Sequence, residues 1–395
     1  MSSVLNFNQI STLLATVMSQ ATGKTVLTPT NTNDFVSVAS MAERGDIYDP
    51  ILQAIGVMTT RTLFDTEAPY SAKFKGLRKD SQEWGAITRE LHVIDKPFEN
   101  DVSYQFMNDG DSVDQWKVNK PEVIQTTTVG SNVYEKSMSI HRDQLKSAFT
   151  GPDQFSEFMG MIMTNRANMI EQAKEDMLRM CLANMIGGTI ASEYEYQNNR
   201  VFYAITEYNA VTGLSLTAQT VYQPANYLPF CEWLVGRVKT ISDLMTERTT
   251  LYHVNIENKP ITRHLPKSQQ ALYLYAPETT MQAHYAFTNA FHTDGLNWGD
   301  YEKVNFWQSI SSPSSVKVAP NYLATDGTVK FTEGTEITPV FGVLCDKNAL
   351  GVTSVNEWSS TTPINSKGGY AVMYDHFCLK YFNQYLRNFV VIMLD

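Results

Sequence analysis

A chain of 395 residues with a formal net charge of −10 has material for two or three domains, and its acidic balance argues against gripping nucleic acid through a basic surface. No apolar run approaches the ~18 residues that a membrane span needs. The N-terminal patch Leu13–Met18 has no basic residue before it, so no signal peptide is expected either. Four cysteines, Cys181, Cys231, Cys345 and Cys378, lie in separate apolar segments without a C-x-x-C pair, which predicts buried thiols in a reducing compartment.

In chain order, residues 3–19 predict a short amphipathic helix that buries Leu5, Ile10, Leu13, Leu14 and Val17. The polar strip 20–33, with Pro29 and little to bury, predicts an extended arm lying on another surface. Asp34 is a candidate cap for a helix to Arg44, and Asp49-Pro50 for another carrying Ile51, Leu52, Ile55 and Met58. Lys73, Lys75, Arg78 and Lys79 form the densest basic cluster of the chain. With Trp84 they are candidate contacts to an acidic neighbour, against the plainer reading of a solvated face. The alternation through Ala86, Thr88, Glu90, His92 and Ile94 predicts a half-exposed strand. Asn108-Asp109-Gly110-Asp111 is a turn signal, and 122–128 is the returning strand. Such a hairpin holds too few apolar residues for a core of its own and must lie on something else.

Val133–Ile140 predicts a further strand, and His141–Phe149 a helical turn. Then comes the stretch that dominates the chain. Pro152 to Ile186 predicts one helix of roughly 50 Å, with Pro152 at its start and Gly187-Gly188 as its stop. Phe155, Phe158, Met159, Ile162, Met169, Ala173, Met177, Met180 and Cys181 recur at helical spacing, with Arg166 breaking the stripe. Met161, Met163, Ile170, Leu178, Leu182 and Met185 make a second apolar face, so the helix should be sandwiched between layers or subunits. Further on, 229–247 predicts a helix, 271–276 a buried strand, and Pro277-Glu278 the opening of a helix through Phe287. Three strand-like runs, 338–345, 370–382 and 389–394, close the chain.

No phosphate loop, dinucleotide fingerprint, zinc-protease helix or nucleophile elbow is present in the sequence. His141-Arg142-Asp143 lacks the downstream partners of a kinase loop. Glu193 and Glu195, on a strand-like segment, read as a solvated pair, and Asp375-His376 as a hydrogen-bonded structural pair. Asp109, Asp111 and Asp114 do not meet the calcium-loop pattern. No catalytic residue, cofactor site or metal site is predicted.

The order of parts carries a resemblance. YEKSMSIHRDQLKSAF at 134–149 leads into the long helix. ALYLYAPETT follows at 271–280, then GVLCDKNALGV at 342–352 and YAVMYDHFCLKYFNQYLRNFVVIM at 370–393. The chain resembles the major capsid proteins of tailed bacteriophages with the Hong Kong 97-type fold, closest to those of small short-tailed, podovirus-type phages. The resemblance implies an α+β fold with an N-terminal arm at 1–60 and an E-loop at 61–128. It implies a peripheral domain at 129–189 with the spine helix 152–186, an axial domain at 190–344, and a return of 345–395 to the peripheral domain. It implies a major capsid (head) protein, not an enzyme, that self-assembles into pentamers and hexamers of an icosahedral or prolate shell around packaged double-stranded DNA. Scaffolding protein and portal protein are the further partners implied, with procapsid assembly in the host cytoplasm, a place in the virion capsid and no membrane. Two other readings stay open on the residues alone. One is an encapsulin-like nanocompartment shell; the other is an enzyme with a tyrosine-rich cleft in 190–344.

Overall fold

The computed structural model describes residues 7–45, 73–79, 87–94, 108–129 apart from 115, 117 and 119, 132–141, 152–278 apart from 258, and 300–395. The expected helix after Asp49, the turn after His141 and most of the helix from Pro277 lie outside these residues. So does Trp84.

The chain opens with α1, Phe7–Thr22, and α2, Thr32–Gly45, which pack on each other. Leu14, Val17 and Met18 of the first and Phe35 and Ala39 of the second are buried. The expected arm is therefore corrected. α1 runs to Thr22, and what remains of 20–33 is a connection with Pro29 buried and Val26 N–H donating to Ser19 Oγ at 3.0 Å. The cap of α2 is Asn31, whose Oδ1 accepts from Asp34 N–H at 2.8 Å, while Asp34 sits in the first turn.

The strands and helices that follow are β1, Arg78–Lys79; β2, Ile87–Ile94; β3, Glu122–Val129; β4, Asn132–His141; and α3, Pro152–Tyr196. Next come β5, Val201–Tyr203; α4, Ala204–Thr212; α5, Pro224–Leu244; β6, Gln270–Tyr275; and β7, Glu302–Val304. Four short strands follow: β8, Val316–Val318; β9, Asn321–Leu323; β10, Val329–Phe331; and β11, Thr335–Ile337. The chain ends with β12, Val340–Asp346; β13, Leu350–Thr361; β14, Tyr370–Asn383; and β15, Phe389–Met393. Pro224, not Pro229, opens α5. Pro229 lies inside that helix and forfeits one backbone bond there.

Two units share these elements. The first holds 1–86, 130–177 and 352–380; the second holds 87–129, 178–351 and 381–395. The division falls inside α3, and the final segment from 345 is split, because β15 belongs to the second unit.

In the first unit the sheet order is β1-β13-β14-β4, with β1 parallel to β13 and β14 antiparallel to β4 from Tyr370↔His141 to Leu379↔Asn132. Alternation along β14 buries Ala371, Met373, Asp375, Phe377 and Leu379 on one face. The first part of α3 lies on that face. Arg166, which broke the apolar stripe, is buried and donates from Nε to Asp375 Oδ2 at 2.7 Å. Its Nη2 donates to Asp375 Oδ1 and, at 2.8 Å, to Ser359 Oγ. Lys174 pairs with Glu357 at 2.8 Å, and Tyr134 Oη donates to Met177 Sδ at 3.9 Å. Asp375 and His376 are not a pair. As strand neighbours they face opposite ways, and His376 stacks on Trp358 with ring centroids 5.0 Å apart.

In the second unit a five-stranded sheet has the order β5-β15-β12-β6-β7. Every residue of β12 is buried, as expected of a central strand covered on both faces. On one face α4 and α5 bring Tyr208, Phe230 and Leu234 against Phe341, Leu344, Val390 and Ile392. Cys181, Cys231 and Cys345 are buried thiols and Cys378 is half-buried; burial pushes the first two up to about 12.

The second part of α3 corrects one expectation and bears on another. The helix does not stop at Gly187-Gly188 but continues to Tyr196. The glycines serve close packing. A Cβ at Gly187 would lie 2.5 Å from Val318 Cγ2, and one at Gly188 would lie 2.8 Å from Tyr385 Oη and 3.0 Å from the Asn321 carbonyl. Alanine adds about 1 kcal/mol of helix propensity over glycine, but overpacking against a stiff valine costs roughly 1–3 kcal/mol. Gly187→Ala is therefore expected to lower the unfolding midpoint of the second unit. A raised midpoint in urea titration would show that the close approach is not there. The second expectation was apolar cover on both faces. Leu178–Thr189 is buried within the unit apart from exposed Met180 and half-buried Asn184. Along the first part, Met163, Met169 and Ile170 are half-buried, Ala173 is exposed, and Met161 is 59% exposed.

Candidate assembly interface

The hairpin of β2 and β3 is antiparallel in continuous register, from Ile87↔Val129 to Ile94↔Glu122. Its turn signal is realised as read: Asp111 N–H donates to the Asn108 carbonyl at 3.1 Å, with Gly110 at φ +93°. Strand alternation then sorts its residues onto two faces. One face carries Glu90, His92, Ile94 and Ile124 inward. Ile124 is buried against Val254, Ile261 and Leu386 of the same unit, with Ile94 beside it. The polar groups inward are matched in part, with His92 Nε2 left without a hydrogen-bond partner among the described residues. Arg263 Nη2 lies 2.6 Å from His92 Nδ1, and Arg387 donates to Glu90.

The other face is unusual. Leu91 is 64% exposed, Val93 57%, Val123 47% and Val129 68%. Val93 sits opposite Val123 with Leu91 beside it, and Val129 lies on the same face beyond the Arg89–Thr127 pair. Past the turn, Trp116 and Val118 are 81% and 88% exposed. The hairpin thus turns Glu90 and His92 inward with Ile94 and Ile124, and leaves four aliphatic side chains exposed on the other face, with Arg89 exposed among them. Exposed aliphatic side chains gathered on one strand face mark an interaction surface.

The basic cluster is divided. Arg78 is ion-paired with Glu171 at 2.6 Å, and both it and Lys79 are half-buried in β1 beside Val352 and Thr353. Lys73 is exposed, and its backbone N–H donates to Glu175 Oε2 at 3.2 Å. Lys75 lies in a short 3-10 turn. Sequence reasoning did not find the internal partner of Arg78. Glu171 on the long helix, one of several acids there, gave no specific signal.

The acidic pair is also reassigned. Glu193 and Glu195 end α3 rather than lying on a strand. Glu193 pairs with Arg200 at 3.1 Å and Glu195 with Lys330 at 3.0 Å. A cleft of about 460 Å³ lies beside them, walled by Ile190, Tyr194, Val318, Pro320 and Phe331. Among the described residues no group of three or more His, Cys, Asp or Glu converges as a metal site would require, and no helix is long and apolar enough to cross a membrane.

The chain matches the model of the Phi29-like phage major capsid protein family over residues 14–393. It belongs to that family. Two solved structures share the fold. One is the capsid structure of Staphylococcus phage Andhra, at 13% identity and TM-score 0.52, covering 84% of this chain and 86% of that one. The other is a chain of the structure of the head fiber and inner core protein gp22 of native bacteriophage P68. It matches at 11% identity and TM-score 0.50, covering 84% and 87%. No curated protein sequence matches. The fold is the α+β capsid fold that the resemblance implied, and the chain is a phage major capsid protein, a structural component of the virion. The encapsulin and enzyme readings gain no support.

Proposed function

We propose that this capsid protein assembles into pentamers and hexamers of a closed icosahedral or prolate shell around packaged double-stranded DNA. The carrying observation is the hairpin's exposed aliphatic face, Leu91, Val93, Val123 and Val129. A shell repeats one contact many times, so its binding energy lies in such patches rather than in a pocket. In this reading 61–128 is an E-loop that overlaps a neighbouring subunit. Residues 1–60 are the N-terminal arm, 129–189 with the return from 345 the peripheral domain, and 190–344 the axial domain. Lys73, exposed and without a side-chain ion pair among the described residues, is the member of the basic cluster best placed to meet an acidic neighbour. Lys75, Arg78, Lys79 and Trp84 are the further proposed contacts to that neighbour. Scaffolding protein and portal protein are the proposed assembly partners, with a podovirus-type virion as the product and the host cytoplasm as the place of assembly.

Electron microscopy of the full chain, purified alone and with its scaffold, tests this. Closed shells of uniform size with fivefold and sixfold capsomers are expected. Small discrete oligomers under all conditions would overturn the proposal.

A further inference from the structure

We infer that Glu90, His92, Arg263, Arg387 and Asp346 form a latch that holds the base of the hairpin against the body of its own unit and opens when His92 takes up a proton. The inference rests on this chain alone and survives if the neighbour contact fails.

The five groups come from four places in the chain. β2 supplies Glu90 and His92 on its inward face. The segment bridged at Thr249↔Arg263 supplies Arg263, the turn before β15 supplies Arg387, and the end of β12 supplies Asp346. Arg387 spans the two carboxylates. It donates to Glu90 through Nη2, and through Nη1 to Asp346 Oδ2 at 3.1 Å. Arg263 Nη2 lies 2.6 Å from His92 Nδ1. A guanidinium does not give up its proton at any ordinary pH, so Nδ1 must be the acceptor. The imidazole is then neutral, with its hydrogen on Nε2, 3.7 Å from Glu90 Oε1. Across β3, Ile124 stands opposite His92 and Thr126 opposite Glu90, while Glu122 is exposed at the far end opposite Ile94.

The formal charges balance only while His92 is neutral, because two guanidinium groups face two carboxylates. His92 is 8% exposed. A proton on Nδ1 would set donor against donor and place a third cation beside two arginines, with little water to screen them. Burial and the charges of Arg263 and Arg387 hold its pKa below the usual 6.5, and Glu90 opposes them only in part. A hairpin lifted off the body has an ordinary histidine and binds the proton more readily. The contact is therefore complete above pH 6.5 and is lost as pH falls through the depressed value. The apolar part of the grip is small: Ile94 and Ile124 against Val254, Ile261 and Leu386. The charged groups decide whether the base stays docked.

Hydrogen exchange on the full chain from pH 7.5 to 4, corrected for the chemical pH dependence of exchange, reads this out. Peptides covering 87–94 and 122–129 should lose about tenfold or more of their protection below pH 6.5, while those covering 340–346 and 389–393 keep theirs. His92→Gln offers Arg263 an amide oxygen that does not titrate, and should hold the hairpin protected across the range. Simultaneous loss in hairpin and core strands, or a variant that follows the native profile, overturns the latch. Should the variant not fold, the native chain still decides. The imidazole of His92 must titrate by NMR below pH 6.5, with hairpin protection falling between pH 6.5 and that midpoint; a midpoint at or above 6.5, or protection lost outside that window, overturns the proposal.

Discussion

Arg166→Met should destabilise the first unit by about 3–5 kcal/mol, the cost of leaving a buried charge without its partner. Methionine matches arginine in helix propensity and nearly in length, so α3 itself is not the casualty. What changes is Asp375. It lies 6% exposed, on the strand face that also carries Met373 and Phe377, and Arg166 donates a hydrogen bond to each of its oxygens. Against a total stability of about 5–15 kcal/mol, that loss is a large fraction. The double variant Arg166→Met with Asp375→Leu removes both charges together. It is expected to return to native stability or exceed it by about 1–4 kcal/mol, because desolvating two ions nearly cancels their attraction. Urea unfolding of the native, single and double variants checks the set. A single variant as stable as the native chain would show that the carboxylate is solvated after all.

The same pair shows what could be read from the sequence and what could not. An arginine on the apolar stripe of a helix and an aspartate inside an apolar strand are opposite charges, each out of place among its neighbours, and the fold sets them on two facing surfaces. The signal was there, but each was read locally, Arg166 as a break and Asp375 as half of a pair with His376. Strand alternation forbids the latter, since neighbours on a strand face opposite ways. The hairpin was legible because its information is local: alternation from 86 to 94, the turn at Asn108–Asp111, and the return at 122–128. The end of α3 was not. A glycine pair reads as a helix stop unless one knows that Val318, Asn321 and Tyr385, more than a hundred residues away, come close enough to exclude any side chain. β13 escaped notice for a related reason. Leu350, Gly351, Val352 and Thr353 are buried on both faces and show no period of two, which starts only beyond them. The supposed arm at 20–33 is polar in sequence, but α1 and α2 pack on each other, and Pro29 in the connection between them is buried. The outward aliphatic face of the hairpin could be seen as a mixed pattern, Ile87, Leu91 and Val93 among polar neighbours. Which set faced inward depended on Arg263 and Arg387, which no local pattern places.

Leu91→Glu combined with Val129→Glu should leave the chain folded and abolish particles. Neither residue stands opposite the other; Leu91 faces Gln125 and Val129 faces Ile87, so the new carboxylates do not repel across the hairpin. At 64% and 68% exposure, each substitution costs the isolated chain within about 0.5 kcal/mol. In a shell the balance is different. Each aliphatic side chain buried against a neighbour contributes about 1.5–3 kcal/mol, and a carboxylate in its place is a charge without a partner in an apolar contact. The loss is repeated at every copy. Because closure needs all the contacts together, a few kcal/mol per subunit moves the assembly from complete to absent. Circular dichroism and hydrogen exchange should match the native chain, while sedimentation and electron microscopy show only unassembled subunits. Normal particles from the folded double variant would show that the patch meets nothing. Leu91→Thr with Val129→Thr then grades the argument. Removing apolar area without adding charge should weaken assembly, visible as a raised critical concentration, without preventing it.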